Sequence, residues 1–304
     1  MISACLIVKD EENMLAGCLS SIKSISDEII IVDTGSKDST MQIAKKFGSK
    51  TYNFTWNGDF SAARNYSLSK ASNEWILVID ADEILESQDA AGIKKLVTHN
   101  EFDAFSVIQR TYTDDSVDLA FVKLKNKRYG FSGYFDVEVI RLFRNNNSYK
   151  YSGKVHELLD DSMKGARIGR SDVVFHHLEH IKGEESVKKK QLSYLKTIIN
   201  EINSGNENEK LLCDAALLSF RYKKDYGQAE KFLEQAAKAN QKSIRPRMLL
   251  GQLYAQQSKF QESIKQYEFA KLLPGSPIQL IEQNISQLKK VLSNSDDKSQ
   301  QVSH

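Results

Sequence analysis

Over residues 1 to about 85, short uninterrupted apolar runs alternate with stretches whose apolar residues recur every three or four positions. A continuous apolar run fits a strand buried on both faces, and the wider spacing fits a helix with one buried stripe. Residues 2–8 and 28–32 read as the first two strands, joined by a helix carrying Met14, Leu15, Cys18, Leu19 and Ile22. Residues 33–40 then turn the chain, with Asp38 or Ser39 suited to cap a helix that runs to Phe47. A short strand at 49–54, a helix at 60–70 and a fourth strand at 75–79 complete the series. This alternation predicts a parallel sheet with crossover helices.

From about 87 the pattern mixes: a helix to Val97, a strand near 104–110, then a polar and aromatic stretch, a strand at 138–144 and another at 172–175. Residues 113–135, rich in Gly, Tyr and Lys, read as a mobile loop. Beyond 183 strands disappear and a helical, lysine-rich composition takes over, which sets the predicted boundary. The helical part repeats itself. Tyr226-Gly227-Gln228-Ala229 and Phe260-Gln261-Glu262-Ser263 lie 34 residues apart, and the same offset pairs Phe220 with Tyr254 and Ala236 with Ala270. That period, with Pro274 after the last helix, matches the tetratricopeptide (TPR) helix-turn-helix unit. The expectation is an α/β domain over 1–182, an all-α TPR-like domain over 183–292 and a polar, disordered tail over 293–304. Two repeat copies are too few to stand alone, so they are expected to pack on the first domain or on another subunit as a homodimer.

Composition narrows the partners. The 42 basic and 40 acidic residues nearly cancel and form no basic stripe, which argues against nucleic acid. Cys5, Cys18 and Cys213 are odd in number and lack C-x-x-C spacing, so they read as reduced core thiols. The apolar start, Met1 to Val8, meets Lys9-Asp10-Glu11-Glu12 well short of the roughly 20 residues a membrane span needs. It reads as a buried strand without a transmembrane segment, and the expected location is cytoplasmic.

The polar clusters at 9–12, 33–38 and 80–83 each follow the end of a predicted strand, the edge at which open α/β sheets bind ligands. In Asp80-Ala81-Asp82 alternate residues of an extended segment point the same way, so both carboxylates can face one divalent cation. Asp82 is expected to bond the metal directly, and Asp80 to contact a ribose or act through water. A pair of solvated or helix-capping acids is the plainer reading. Asp33 has two readings as well, as a ligand residue and as the stabiliser of a tight turn at Gly35.

Four ordered segments carry a resemblance: Leu6-Ile7-Val8-Lys9-Asp10-Glu11-Glu12, Ile31 through Thr40, Ala63-Arg64-Asn65, and Val78-Ile79-Asp80-Ala81-Asp82-Glu83. They resemble the family 2 inverting glycosyltransferases of the GT-A, Rossmann-like fold. Arg141-Leu142-Phe143-Arg144 and Gly153-Lys154-Val155-His156-Glu157 are similar to the branch holding lipopolysaccharide-core β-glucosyltransferases and bacteriocin S-glycosyltransferases. The resemblance covers residues 1 to about 180 and implies transfer of a hexose, glucose or an N-acetylhexosamine, from a UDP-sugar with Mg2+ or Mn2+ as cofactor. It implies that Glu11 or Glu12 borders the nucleoside, that Asp33 accepts a hydrogen bond from uracil and that Arg64 binds the diphosphate. The implied base is Glu157, with Glu138 and Asp136 as alternatives, and either His176 or His177 completes the metal site with Asp82 and Asp80. The chain lacks the Glu-Asp and Gln-x-x-Arg-Trp pairs of many members, which argues against a processive synthase. The acceptor is left between a peptide or protein side chain and a cell-surface glycan. A rival of another class is a non-catalytic TPR interaction protein on a relic sugar-nucleotide fold.

Overall fold

The computed structural model describes residues 1–114 and 121–301 and falls into two compact units, Met1–Glu184 and Glu185–His304. In the first unit the order is β1 (Ile2–Val8), α1 (Leu15–Ile22), β2 (Glu28–Asp33), α2 (Thr40–Lys46), β3 (Lys50–Asn53), α3 (Phe60–Leu68) and β4 (Trp75–Val78). Then follow β5 (Glu83–Ile84), α4 (Ser87–Leu96), β6 (Ala104–Thr113), β7 (Val122–Arg128), β8 (Phe131–Arg144) and β9 (Ile168–His177). Among the described residues these nine strands form one sheet, ordered β3-β2-β1-β4-β8-β6-β9-β5, with β7 paired to β8.

The four leading strands are parallel to one another. The apolar runs of β1, β2 and β4 are continuous because both faces are covered. Ile2, Ala4, Leu6 and Val8 pack into one core with Leu15, Cys18, Leu19 and Ile22 of α1, Ala44 of α2 and Ile93 of α4. Cys5, on the opposite pleat, joins Ile30, Ile76 and Val78 in a second core against Leu68 of α3, Tyr151 and Met163. Burying one Leu or Ile side chain contributes about 1.5–3 kcal/mol, so α1 alone supplies several kcal/mol from its four-residue stripe. All three cysteines are free and buried, and burial pushes the Cys213 thiol up to about 12.

Because β1, β2 and β4 run the same way, their C-terminal ends share one edge of the sheet. The loops leaving β1 and β2 are stitched together there. Asp10 N donates to Ser36 Oγ (2.9 Å), and Lys37 N donates to Asp10 Oδ1 (2.8 Å). Glu11 N donates to Thr40 Oγ1 (2.7 Å) and Ser39 N to Glu12 Oε2 (3.0 Å). Gly35, at φ +112°, makes the turn a β-carbon would strain, whereas Asp10 takes φ 55° despite its side chain.

The segment read as a mobile loop is mostly strand. β7 and β8 pair antiparallel with irregular register, and residues 115–120 of that reading lie outside the described residues. The sequence conceals this hairpin because Lys123, Lys125, Lys127 and Arg128 give β7 a polar pattern. β8 also continues seven residues upstream of the predicted strand, from Phe131.

The second unit is helical: α5 (Glu184–Asn203), α6 (Glu209–Leu218), α7 (Tyr226–Ala239), α8 (Arg245–Gln256), α9 (Phe260–Lys271) and α10 (Ile278–Gln301). α6 packs on α7 and α8 on α9. α7 and α9 start at the two ends of the 34-residue offset, and Ala229, Ser263, Ala236 and Ala270 are all fully buried. Asn208 and Asp225 cap α6 and α7 by accepting from Leu211 N and Gln228 N. Gly251 lets α8 close on α9, because a β-carbon there would lie 2.7 Å from the Tyr267 ring. Residues 293–301 of the expected tail lie on α10, and 302–304 fall outside the described residues. Among the described residues no helix is long and apolar enough to cross a membrane.

Candidate active site

Asp80 and Asp82 leave the end of β4, and the chain turns at once into β5. The two carboxylates enter different ion-pair networks. Asp80 Oδ1 accepts from Arg64 Nη2 (2.7 Å) and Asp80 Oδ2 from Arg141 Nη2 (2.9 Å). Burial alone would raise the Asp80 pKa, but the guanidinium charges of Arg64 and Arg141 outweigh it and hold this carboxyl well below the usual range. Both arginines are buried, and their charged forms are favoured because these carboxylates outweigh the desolvation.

Arg64, on α3, spends its second donor on Glu157: Nε lies 2.5 Å from Oε1. A residue 93 positions downstream is thereby drawn to the carboxylate at the end of β4. Arg141, on β8, also reaches Glu83 Oε1 (3.1 Å). Glu83 is fully buried, receives Asp80 N on Oε2 (2.9 Å) and Gln109 Nε2 on Oε1 (2.5 Å), and its carboxyl is pushed up by burial. Asp80 is thus fixed from three sides, by its own turn, by α3 and by β8.

Asp82 faces another set. Its Oδ2 lies 2.9 Å from Lys182 Nζ and its Oδ1 3.6 Å from His177 Nε2. Lys182 also pairs with Glu11 Oε1 at 2.6 Å, so carboxylates from the β1 and β4 ends converge on one cation. Burial lowers the Lys182 pKa, and the charges of Asp82 and Glu11 more than reverse it. His177 is oriented by a 3.0 Å contact between its Nδ1 and Thr111 Oγ1. Asp82 and Glu11 both approach one ammonium, so this corner of the sheet edge is a place that favours positive charge.

Other expected residues have local duties. Asp33 is buried and accepts from Ser36 N (3.1 Å) and Ser36 Oγ (2.5 Å), the turn role its sequence also allowed. Glu12 bonds Ser39 N at the start of α2. Asp136 is bound bidentately by Arg110, and Glu138 accepts from Ser106 Oγ (2.6 Å), so neither joins the Asp80 or Asp82 networks. Adjacent strand residues face opposite ways, and His176 accordingly turns from Asp82 towards Tyr112, Glu86 and Asp89.

Arg141 and Glu83 stand in segments that carry the family resemblance but have no role assigned from sequence, and Lys182 and Gln109 have none either. Arg141 was visible as a charge inside the apolar end of β8, and Glu83 as the fourth residue of Asp80-Ala81-Asp82-Glu83. Lys182 and Gln109 carried no comparable signal.

Residues 3–152 match the family model described as glycosyl transferase family 2. Among curated proteins, a TPR repeat-containing protein of Synechococcus elongatus is 36% identical over 162 residues, covering 53% of this chain and 36% of that protein. The SPbeta prophage-derived glycosyltransferase SunS of Bacillus subtilis is 31% identical over 154 residues, covering 50% of this chain and 33% of that one. The chain therefore spans about a third of the length of these relatives. The crystal structure of Staphylococcus aureus TarS 1–349 aligns over 89% of this chain and 90% of that one at 14% identity, with a TM-score of 0.46. The N-terminal unit thus has the Rossmann-like GT-A fold and carries the match to glycosyl transferase family 2, and a largely α-helical unit follows it.

Proposed function

We propose that this chain is an inverting glycosyltransferase that moves a hexose, glucose or an N-acetylhexosamine, from a UDP-sugar to a peptide or protein side chain or to a glycan. The observation that carries this reading is the division of labour between Asp80, locked by two buried arginines, and Asp82, turned with His177 towards a cation position. The family match over residues 3–152 supports it.

In this reading Asp82 and His177 hold Mg2+ or Mn2+, which when bound neutralises charge on the departing diphosphate. Asp80 would contact the ribose or act through water. Glu11 and Asp33 border the uridine, and the Ser36 hydrogen bonds fix the Asp33 carboxylate in place. Arg64 acts chiefly by orienting Asp80 and Glu157, since its Nε and Nη2 are spent on those carboxylates. Glu157 is the base that takes the proton from the acceptor as it attacks the anomeric carbon, and its contact with Arg64 holds its carboxylate close to Asp80. The helical unit, with its 34-residue offset, is TPR-like and presents a surface for a peptide or protein acceptor or for a second copy of the chain.

The test is a donor screen for UDP release, run with peptide and glycan acceptors and with Mn2+ or a chelator. Release from a UDP-hexose that depends on Mn2+ and disappears in Asp82→Asn supports the reading. Folded protein that binds no UDP in the presence of Mn2+ sinks it in favour of a non-catalytic interaction protein.

A further inference from the structure

A second group of potential ligands lies on the face of β9 opposite His177. His176, 2% exposed, directs Nε2 towards Glu86 and Asp89 at the start of α4. The separations are 3.7 Å to Asp89 Oδ2 and 3.9 Å to Glu86 Oε1, and one ligand atom from each residue fits within a 4.8 Å group. Neither separation is a hydrogen bond. His176 Nε2 and Asp89 Oδ2 are both buried without a hydrogen-bond partner. Leaving such atoms unpaired costs about 1–3 kcal/mol each.

The remaining atoms of these side chains are held from behind. His176 Nδ1 meets Tyr112 Oη at 2.8 Å, and Asp89 Oδ1 accepts from Val174 N at 2.9 Å. Contacts of this kind fix ring orientation and tautomer in metal sites. With Nδ1 protonated and donating to Tyr112, Nε2 presents its lone pair to the gap. A tetrahedral ion with bonds of about 2.1 Å spaces its ligands about 3.4 Å apart, so the two histidine–carboxylate separations need to close by only a few tenths of an ångström, and the two carboxylates lie within 4.8 Å of each other.

We propose that Glu86, Asp89 and His176 form a second divalent-cation site, distinct from the one at Asp82, suited to a borderline transition metal such as Zn2+. Two carboxylates and an imidazole balance the ion's charge and match its ligand preference. The site also has a mechanical consequence. Arg128 and Tyr129, at the β7–β8 turn, both bond Glu86 Oε1, so the turn is tied to the cluster and competes with the metal for that oxygen. Metal loading therefore changes how firmly the turn is held. This inference does not rest on the transferase reading.

The experiment is calorimetric titration of the chelator-treated full chain with Zn2+, carried out in the Asp82→Asn background to suppress the first site. One equivalent is expected to bind, and to be lost or weakened more than about tenfold in Asp82→Asn/His176→Gln and in Asp82→Asn/Asp89→Asn. Asp89→Asn retains Oδ1 for Val174 and nearly the same shape, so it decides the matter if the histidine variant misfolds. With Co2+ as the probe, the absorption band of a coordinated ion should appear in Asp82→Asn and vanish in both double variants. Tyr112→Phe should weaken binding about 10–100-fold through loss of the contact behind the ring. Absence of a bound equivalent in Asp82→Asn, or equal binding by the double variants, would overturn the proposal and leave a hydrated polar pocket.

Discussion

Lys182 Nζ lies 2.9 Å from Asp82 Oδ2, so the carboxylate proposed to bond the metal already has a cation of the protein's own. The same ammonium holds Glu11 at 2.6 Å. An incoming divalent ion must compete with that contact, and the lysine side chain is 23% exposed, long enough and open enough to swing aside. Lys182→Met should therefore tighten Mn2+ binding. A partly exposed pair of this kind contributes up to about 1 kcal/mol, equivalent to roughly a fivefold gain in affinity. Calorimetry with Mn2+ on both proteins checks it, and an unchanged or weaker affinity would show that Lys182 and the metal do not share Asp82.

Arg141 joins Asp80 to Glu83 in a buried place, whereas Arg110 joins Asp136 near the surface. Removing one partner of a buried pair leaves uncompensated charge, at a cost of about 3–5 kcal/mol. Arg141→Met should lower the urea-unfolding free energy by about that amount, and Arg110→Met by less than about 1 kcal/mol. Similar losses in the two variants would mean that the Asp80 network is solvated and does not organise the β4 end.

The contrast between these arginines also explains what the sequence reveals. β1, β2 and β4 are legible because strands covered on both faces need unbroken apolar runs, and α1 because one helical stripe suffices for burial. β7 was illegible for the opposite reason: it pairs at the margin of the sheet, and nothing in its polar sequence marks an inside. The strand-end carboxylates could be found because they interrupt apolar runs. Their partners could not, since Arg64–Glu157 spans 93 residues and Lys182–Asp82 spans 100. The division between His176 and His177 needs only strand alternation, but which of the two faces Asp82 depends on the β5–β9 register, Glu83 against His177 and Ile84 against His176.

Acid should weaken the parallel sheet through Glu28. This carboxylate accepts from Lys50 Nζ (2.6 Å), Ser72 N (2.6 Å) and Ser3 Oγ. Burial raises its pKa, but the hydrogen bonds from Lys50, Ser3 and Ser72 prevail and bring it down to about 2. A folded-state value below the ordinary Glu value of about 4.3 means the folded chain binds this proton less readily than the unfolded one. Its stabilising contribution is fully present above that ordinary value and is lost as pH falls towards about 2. Glu28→Gln should flatten the stability curve across that window while leaving the neutral-pH fold intact. The check is urea midpoints at stepped pH, and parallel curves for the two proteins would refute the assignment.

Glu157 and Asp82 should fail in different ways. Glu157→Gln keeps the size of the side chain and an oxygen that can accept from Arg64 Nε, but it cannot take a proton from the acceptor. Loss of a positioned base costs about 10²–10⁴-fold in rate, so transfer should fall by that factor while UDP and Mn2+ still bind. Asp82→Asn should instead abolish both the Mn2+ dependence and the metal-assisted part of UDP binding, with the circular dichroism spectrum unchanged. The two variants are separated by measuring nucleotide affinity and turnover on the same preparations. Normal transfer by Glu157→Gln would remove it as the base. The search would then turn to Glu138 and Asp136, which Ser106 and Arg110 hold outside the Asp80 and Asp82 networks.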